Sequence, residues 1–326
     1  MQRGSIIVYT ITGFSRCFWA EIFYNAPMRA PQILFIAPTR IGDAILATSI
    51  LAHLVKKQPN AEVTIVTSTL AAPLFAGYPL LKRTIPIIKQ TYNRHWLEVW
   101  RETVTTFWKE VWDLRGSAIT FAVRTDRRHW YRPAQVTVPK VKHYGLLFDT
   151  GPLPYPTLWP RLEDKASAAE LMPAGEKFLV FAPIANWEPK EWPMAHYIAL
   201  AQSLLAGVYA GYRPVLICAP HERPRAAAFI AAMEDYNFLD LSHGEHHLLT
   251  IYACLQRADG FVGNDSGLMH MAAAAGIPTL GLFGPGQPEV YQPCGPKAAY
   301  MVAPERELSQ LTPAMVEDAF TRLLRA

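Results

Sequence analysis

A chain of 326 residues, 51% hydrophobic and 12% aromatic, has apolar material for two packed cores of roughly 150 residues each, which excludes a disordered or fibrous protein. Its net charge of +4 hides an asymmetry: residues 28–165 carry 19 Lys and Arg against 10 Asp and Glu (+9), residues 166–326 carry 10 against 16 (−6), and residues 1–27 add +1. The field of the front half suits an anionic partner such as a phosphorylated glycan or a membrane surface, and no nucleic-acid-binding motif accompanies the charge.

Residues 4–23 are apolar and aromatic but are interrupted by Arg16 and Glu21, so they hold no uncharged run long enough to span a bilayer. No cleavage site of small residues follows them. The segment 1–27 reads as an upstream extension ahead of Met28, with a peripheral membrane anchor as the alternative. The four cysteines, Cys17, Cys218, Cys254 and Cys294, show neither paired nor metal-ligand spacing, and reduced thiols are the default.

Residues 33–37 form a continuous apolar run suited to a central parallel strand. A short loop containing Arg40 and Gly42 leads to Asp43 and a helix with Leu46, Ile50, Leu51 and Leu54 on one face, ended by Gln58-Pro59-Asn60. Residues 63–67 are the next strand. The turn of this βαβ unit has one glycine and lacks the three spaced glycines of a dinucleotide fingerprint. Asp43 has two readings: a helix cap, or a carboxylate that accepts a proton from a substrate hydroxyl at the C-terminal end of the first strand.

Residues 84–88 suggest a further strand. Trp96, Trp100, Val104 and Phe107 recur at helical spacing and are expected to pack in the core. Residues 111–114 read as a strand that turns at Arg115-Gly116-Ser117. Arg124, Arg127, Arg128, His129, Trp130, Tyr131 and Arg132 form a basic and aromatic run, either a solvated face or a contact for an anionic acceptor or membrane surface. Four prolines between 152 and 160 place a linker at 150–172.

A second α/β alternation starts at the apolar run 178–182. The loop 183–193 carries Lys190, a solvated lysine or a point charge for a phosphate. Residues 214–218, 238–241 and 261–262 continue the strands. Gly263-Asn264-Asp265-Ser266-Gly267 then makes a polar turn into a small-residue helix stopped by Gly276-Ile277-Pro278. Asp265 or Ser266 can cap this helix, and its free N–H groups and dipole favour an anion such as a diphosphate.

Residues 33–54 with their Ile41-Gly42-Asp43, the 187–193 loop carrying Lys190 and Trp192-Pro193, Gly263-Asn264-Asp265-Ser266-Gly267 with His270 and Phe283-Gly284-Pro285, and Asp113-Leu114-Arg115-Gly116-Ser117 together resemble the heptosyltransferase family. The likeness runs in order from about residue 33 to the last helix. It implies an α/β, GT-B architecture of two Rossmann-like domains with parallel sheets facing across a cleft, and inverting, metal-independent transfer of a heptose or similar sugar from an ADP-sugar to a lipopolysaccharide core or related glycan. Asp43 would then be the general base, Lys190 would hold the donor diphosphate, and Asp265, Ser266, Gly267 and His270 would line the donor pocket. Arg40, Gly42, Arg127, Arg128 and Arg132 are the acceptor-side candidates. Ile184 departs from a usual glycine and Ser49 from a common proline. No Asp-x-Asp occurs in the chain, in keeping with a lysine and a helix dipole in place of a metal.

The resulting expectation is an extension 1–27, an acceptor domain 28–165, a nucleotide-sugar domain 166–305, and a terminal helix 306–326 crossing back to the first domain. No cofactor is expected beyond the donor. The partners are a nucleotide sugar and an anionic glycolipid, with no nucleic acid, and the location is cytoplasmic or peripheral at the cytosolic face of the inner membrane. A same-architecture transferase or epimerase using another nucleotide sugar, and a non-catalytic nucleotide-sugar-binding protein, are the alternatives.

Overall fold

The computed structural model describes residues 30–88, 90–132, 137–244 and 246–326. The extension 1–27 and Cys17 lie outside the described residues. The first half holds β1 (Gln32–Ile36), α1 (Ile41–Lys57), β2 (Glu62–Ser68), β3 (Leu81–Ile87), α2 (His95–Thr103), β4 (Phe107–Asp113) and β5 (Arg124–Trp130). The strands pair in parallel in the order β3-β2-β1-β4-β5. Ile33 to Ile36 are completely buried, as a central strand covered on both faces requires. The chain builds outward from β1 through β2 to β3, then crosses to β4 on the other side. The order therefore reverses between β1 and β4.

After α3 (Lys140–Leu147) and α4 (Leu162–Leu171), the second half holds β6 (Phe178–Ala182), α5 (Met194–Ala206), β7 (Arg213–Leu216), α6 (Ala227–Met233), β8 (Leu239–Asp240), α7 (Leu248–Leu255), β9 (Gly260–Asn264), α8 (Gly267–Ala275), β10 (Thr279–Phe283), α9 (Pro288–Tyr291), β11 (Ala298–Val302) and α10 (Pro313–Arg325). This sheet is also parallel, in the order β11-β10-β9-β6-β7-β8. Its order reverses between β6 and β9. Open α/β sheets bind ligands beyond the carboxyl ends of the strands at such reversals.

Three expectations need correction. The stripe Trp96-Trp100-Val104-Phe107 is not a core face. α2 ends at Thr103, Phe107 opens β4, and the side chains that α2 buries are His95, Val99 and Thr103. The aromatic rings lie partly outside, and the Trp100 indole N–H donates to Ala122 O at 3.0 Å. The stretch 150–172 is only partly linker, because 162–171 form α4. That helix belongs with the second half: Thr250 Oγ1 donates to Asp164 Oδ1 at 3.0 Å, and α4 packs on α7. The terminal helix α10 is capped as expected, with Thr312 Oγ1 accepting from Met315 N, yet its apolar face stays on the second sheet. Val316 and Phe320 are buried in the same cluster as α5 residues, and Ser203 Oγ donates to Glu317 at 2.7 Å. Once that face is buried, α10 has no apolar stripe left to cover the first half.

Candidate active site

Asp43 lies in the first turn of α1, just beyond the end of β1. The cap position is Arg40, and no side chain caps this helix end, so Asp43 is not an N-cap. Burial pushes its carboxyl pKa up, against the pull of Lys140 and Arg40; Asp265 adds to the rise and Lys190 opposes it. The charges named on Asp43 thus come from both halves of the molecule.

α1 and α8 meet at their N-termini. A side-chain carbon on Gly42 would lie 3.0 Å from His270 Cδ2 and 3.6 Å from Gly267 Cα, and one on Gly267 would lie 3.0 Å from Ile41 Cγ2. The glycines at these two positions are what allow the helix ends to come so close. The arrangement sets the turn after β1 against the turn after β9.

On the second side, the Lys190 ammonium pairs with Asp265 Oδ2 at 2.5 Å, and the aspartate is almost fully buried. Asp265 therefore orients Lys190 and caps nothing. Ser266 is the cap residue of α8 by position, but its hydroxyl makes no cap bond. Ser266 Oγ and His270 Nδ1 are both buried without a partner among the described residues. Burial is the main cause that lowers the His270 pKa to about 4, so its imidazole is neutral at physiological pH. The N-terminus of α8 thus presents uncapped N–H groups, a free hydroxyl and a neutral imidazole beside one ammonium group.

Asn264 had no assigned role in the sequence motif. Its buried side chain accepts from Trp192 N at 3.0 Å and from Tyr197 OH at 3.0 Å, and it donates to Pro183 O at 2.8 Å. The loop that carries Lys190 is thereby fastened to the strand that carries Asp265. Trp192 is held further by its indole N–H on Leu311 O at 2.7 Å. Ile184 is buried in the core of this half.

Sequence reasoning missed Lys140 altogether. Its ammonium donates to Tyr131 OH at 3.1 Å and lies 4.8, 5.6 and 6.0 Å from the ring centres of Tyr131, Tyr144 and Tyr291. Tyr291 comes from the second half, so the cage closes across the domains. Leu46, one helical turn beyond Asp43, shares a cavity of ≈ 260 Å³ with Lys140, Gln292 and Tyr300. The only sequence signal was a lysine just after Pro139, at a helix start.

The basic run lies on β5 and just after it. Alternation along a strand sends Arg127 and Arg128 to opposite faces. The Arg128 guanidinium is taken up by Thr120 O at 3.0 Å and Val123 O at 3.3 Å, and Arg132 lies over the Trp130 ring. The structure therefore does not gather Arg127, Arg128 and Arg132 into one patch. Arg40 is exposed at the mouth of the β1 turn.

A family model described as glycosyltransferase family 9 (heptosyltransferase) matches residues 112–317. The chain is 26% identical over 304 residues to lipopolysaccharide heptosyltransferase 2 of Salmonella typhimurium, covering 82% of this chain and 86% of that protein. Among solved structures, E. coli ADP-heptose lps heptosyltransferase II superposes with a TM-score of 0.73 at 23% identity, over 90% of this chain and 98% of that one. E. coli heptosyltransferase WaaC with ADP gives a TM-score of 0.71 at 20% identity, over 90% and 99%.

Proposed function

The chain belongs to glycosyltransferase family 9, the heptosyltransferases, and from that premise we propose that it moves a heptose from an ADP-sugar to a lipopolysaccharide-type glycan, with Asp43 as the base. One observation carries the assignment of roles. Asp43 stands at the reversal point of the first sheet, while Lys190, Asp265 and the α8 N-terminus stand at that of the second, and the tips of α1 and α8 touch. A sugar held between them has a proton acceptor on one side and, on the other, the Lys190 ammonium beside the free N–H groups of α8.

In this reading Asp43 takes the proton of the acceptor hydroxyl as its oxygen attacks the anomeric carbon from the face opposite the diphosphate, and the configuration inverts. Negative charge grows on the departing diphosphate. Lys190 and the N–H groups of α8 meet that charge where it develops, which lowers the barrier selectively. The Ser266 hydroxyl and the neutral His270 supply uncharged hydrogen bonds, so the Asp265–Lys190 pair sets the local charge. Replacing Lys190 with alanine is expected to raise the donor KM by about tenfold or more, the worth of a charge-assisted contact. Turnover is expected to survive EDTA. An enzyme silenced by EDTA and restored by Mg²⁺ would contradict the assignment of this charge to Lys190 and α8.

Lys140 supports the base. An ammonium near a buried carboxyl favours its ionised form, and Tyr131, Tyr144 and Tyr291 fix that ammonium in place. The other groups facing Asp43 are Arg40 from its own turn, and Asp265 and Lys190 from the second half. Without Lys140 the carboxyl holds its proton to higher pH. Lys140→Met is therefore expected to move the acid limb of the kcat profile upward, with donor KM unchanged and Lys140→Arg restoring much of the profile. An unmoved acid limb would remove Lys140 from this role.

A further inference from the structure

Arg115 is the charged side chain for which the site described above has no use. It follows β4 directly, and β4 lies beside β1: Asp113 pairs with Ile36, and Leu114 N donates to Ile36 O at 3.0 Å. The order of the first sheet reverses between these two strands. The turn of Arg115 and the turn of Asp43 are thus the two lips of the crevice where such a sheet receives its ligand. In the second sheet the corresponding lips carry Lys190 and Asp265.

The turn itself is rigid. The buried Asp113 carboxylate accepts from Arg115 N, Gly116 N, Ser117 N, Ser117 Oγ and Thr120 Oγ1 at 2.6–3.0 Å. Those five bonds occupy both of its oxygens, so Asp113 acts on Arg115 through its charge alone and gives the guanidinium no hydrogen-bond acceptor. The guanidinium forms no side-chain hydrogen bond and no ion pair with any described residue, and its Nη1 is buried without a partner. It does lie against the Trp96 ring, 4.9 Å from the centre. A ring stack of this kind orients the planar fork while leaving its N–H edge free. Half-buried cations with unused donors are costly unless an anion meets them, and the side chain is held ready for one. By contrast, Arg128 spends its donors on backbone carbonyls.

We propose that Arg115 is the anion subsite of the acceptor, receiving a phosphate or carboxylate group of the glycan bound at the reversal point of the first sheet. This rests on the glycosyl-transfer reading above. The bidentate geometry of a guanidinium suits either group. With one anionic substituent on Arg115, the glycan is anchored on the lip opposite Asp43, and the hydroxyl that reacts is chosen by its distance from that anchor.

The test is a binding cycle between residue and ligand group. Full-length wild type, Arg115→Gln and Arg115→Lys, each saturated with ADP, are titrated with a lipopolysaccharide core acceptor. The acceptor is used intact, after phosphatase treatment, and after methyl esterification of its carboxylates. Affinity for ADP alone serves as the control for folding and for the donor site. Arg115→Gln is expected to weaken the intact acceptor by about 10–100-fold while ADP binds as in wild type, and Arg115→Lys to recover part of the loss. One of the two treatments should weaken wild type by a similar factor and leave Arg115→Gln unaffected, which identifies the group as phosphate or carboxylate. Losses that simply multiply, an unchanged acceptor affinity in Arg115→Gln, or a parallel fall in ADP affinity would each overturn the subsite. A wild type that binds neither ADP nor the acceptor would overturn the transfer reading itself, and Arg115 with it.

Discussion

Asp43→Asn is expected to fold, to bind an ADP-sugar nearly as wild type does, and to lose about 10²–10⁴-fold in kcat, the usual worth of a positioned base. The carboxylate forms no cap and no ion pair among the described residues, so the substitution removes little that holds the fold together. The sign of the stability effect follows from its raised pKa. The fold favours the protonated form, so Asp43 contributes stability below the ordinary carboxylate pKa, and that contribution is lost as pH rises through its own higher pKa. At neutral pH the ionised group is a burden that asparagine lacks. Tm should therefore hold or rise slightly, although a negative charge is also lost from the first turn of α1. Steady-state kinetics with saturating donor and acceptor decide the matter. Turnover within a few-fold of wild type would leave Asp43 as no more than a helix-end charge.

Asn264→Leu is expected to be the most damaging single change near the donor site. The leucine keeps the volume but strands Trp192 N, Tyr197 OH and Pro183 O in a buried place. Each orphaned group costs about 1–3 kcal/mol, so the sum is at least about 3 kcal/mol. Thermal unfolding should shift down by roughly 6 °C or more, at about 2–4 °C per kcal/mol for a domain of this size. Donor affinity should fall as well, because the loop that presents Lys190 loses its tie to β9. Asn264→Asp separates the contributions: it keeps an acceptor for Trp192 and Tyr197 but sets an oxygen against Pro183 O. If Asn264→Leu melts with wild type and binds ADP equally well, the asparagine is not the fastener described here.

Much of the architecture is legible in the chain itself. Apolar runs such as 33–37 and 178–182 read as central strands and are so in the fold, and the polar turns that follow them carry Asp43 and Lys190. What local reading misses is whatever depends on two distant turns meeting. Lys140, Tyr131, Tyr144 and Tyr291 form one cage, yet Tyr291 is some 150 residues from its partners, and no spacing rule connects them. Asn264 sits in plain view within a motif, but its bonds run to Pro183, Trp192 and Tyr197, about 70–80 residues away. The misread aromatic stripe has another cause. Helical spacing continued by chance from α2 into β4, and large rings can lie half-exposed where Val99 and Thr103 do the packing. The terminal helix shows the same limit: its amphipathic face is unmistakable, but a stripe of apolar residues does not name its partner.

The touching tips of α1 and α8 also work as a mechanical element. Each helix end carries about half a positive elementary charge, offset at α1 by Asp43 in its first turn and at α8 by Asp265 just before it. In the transfer reading the diphosphate sits at the α8 end beside Lys190, and it attracts the Arg40 and Lys140 charges of the first half across the contact. On that reading the nucleotide is expected to act as a latch as well as a reactant, drawing the two lobes together when it arrives and releasing them when it leaves. Small-angle scattering should register this as a smaller radius of gyration with ADP than without, and the difference should shrink as added salt screens the attraction.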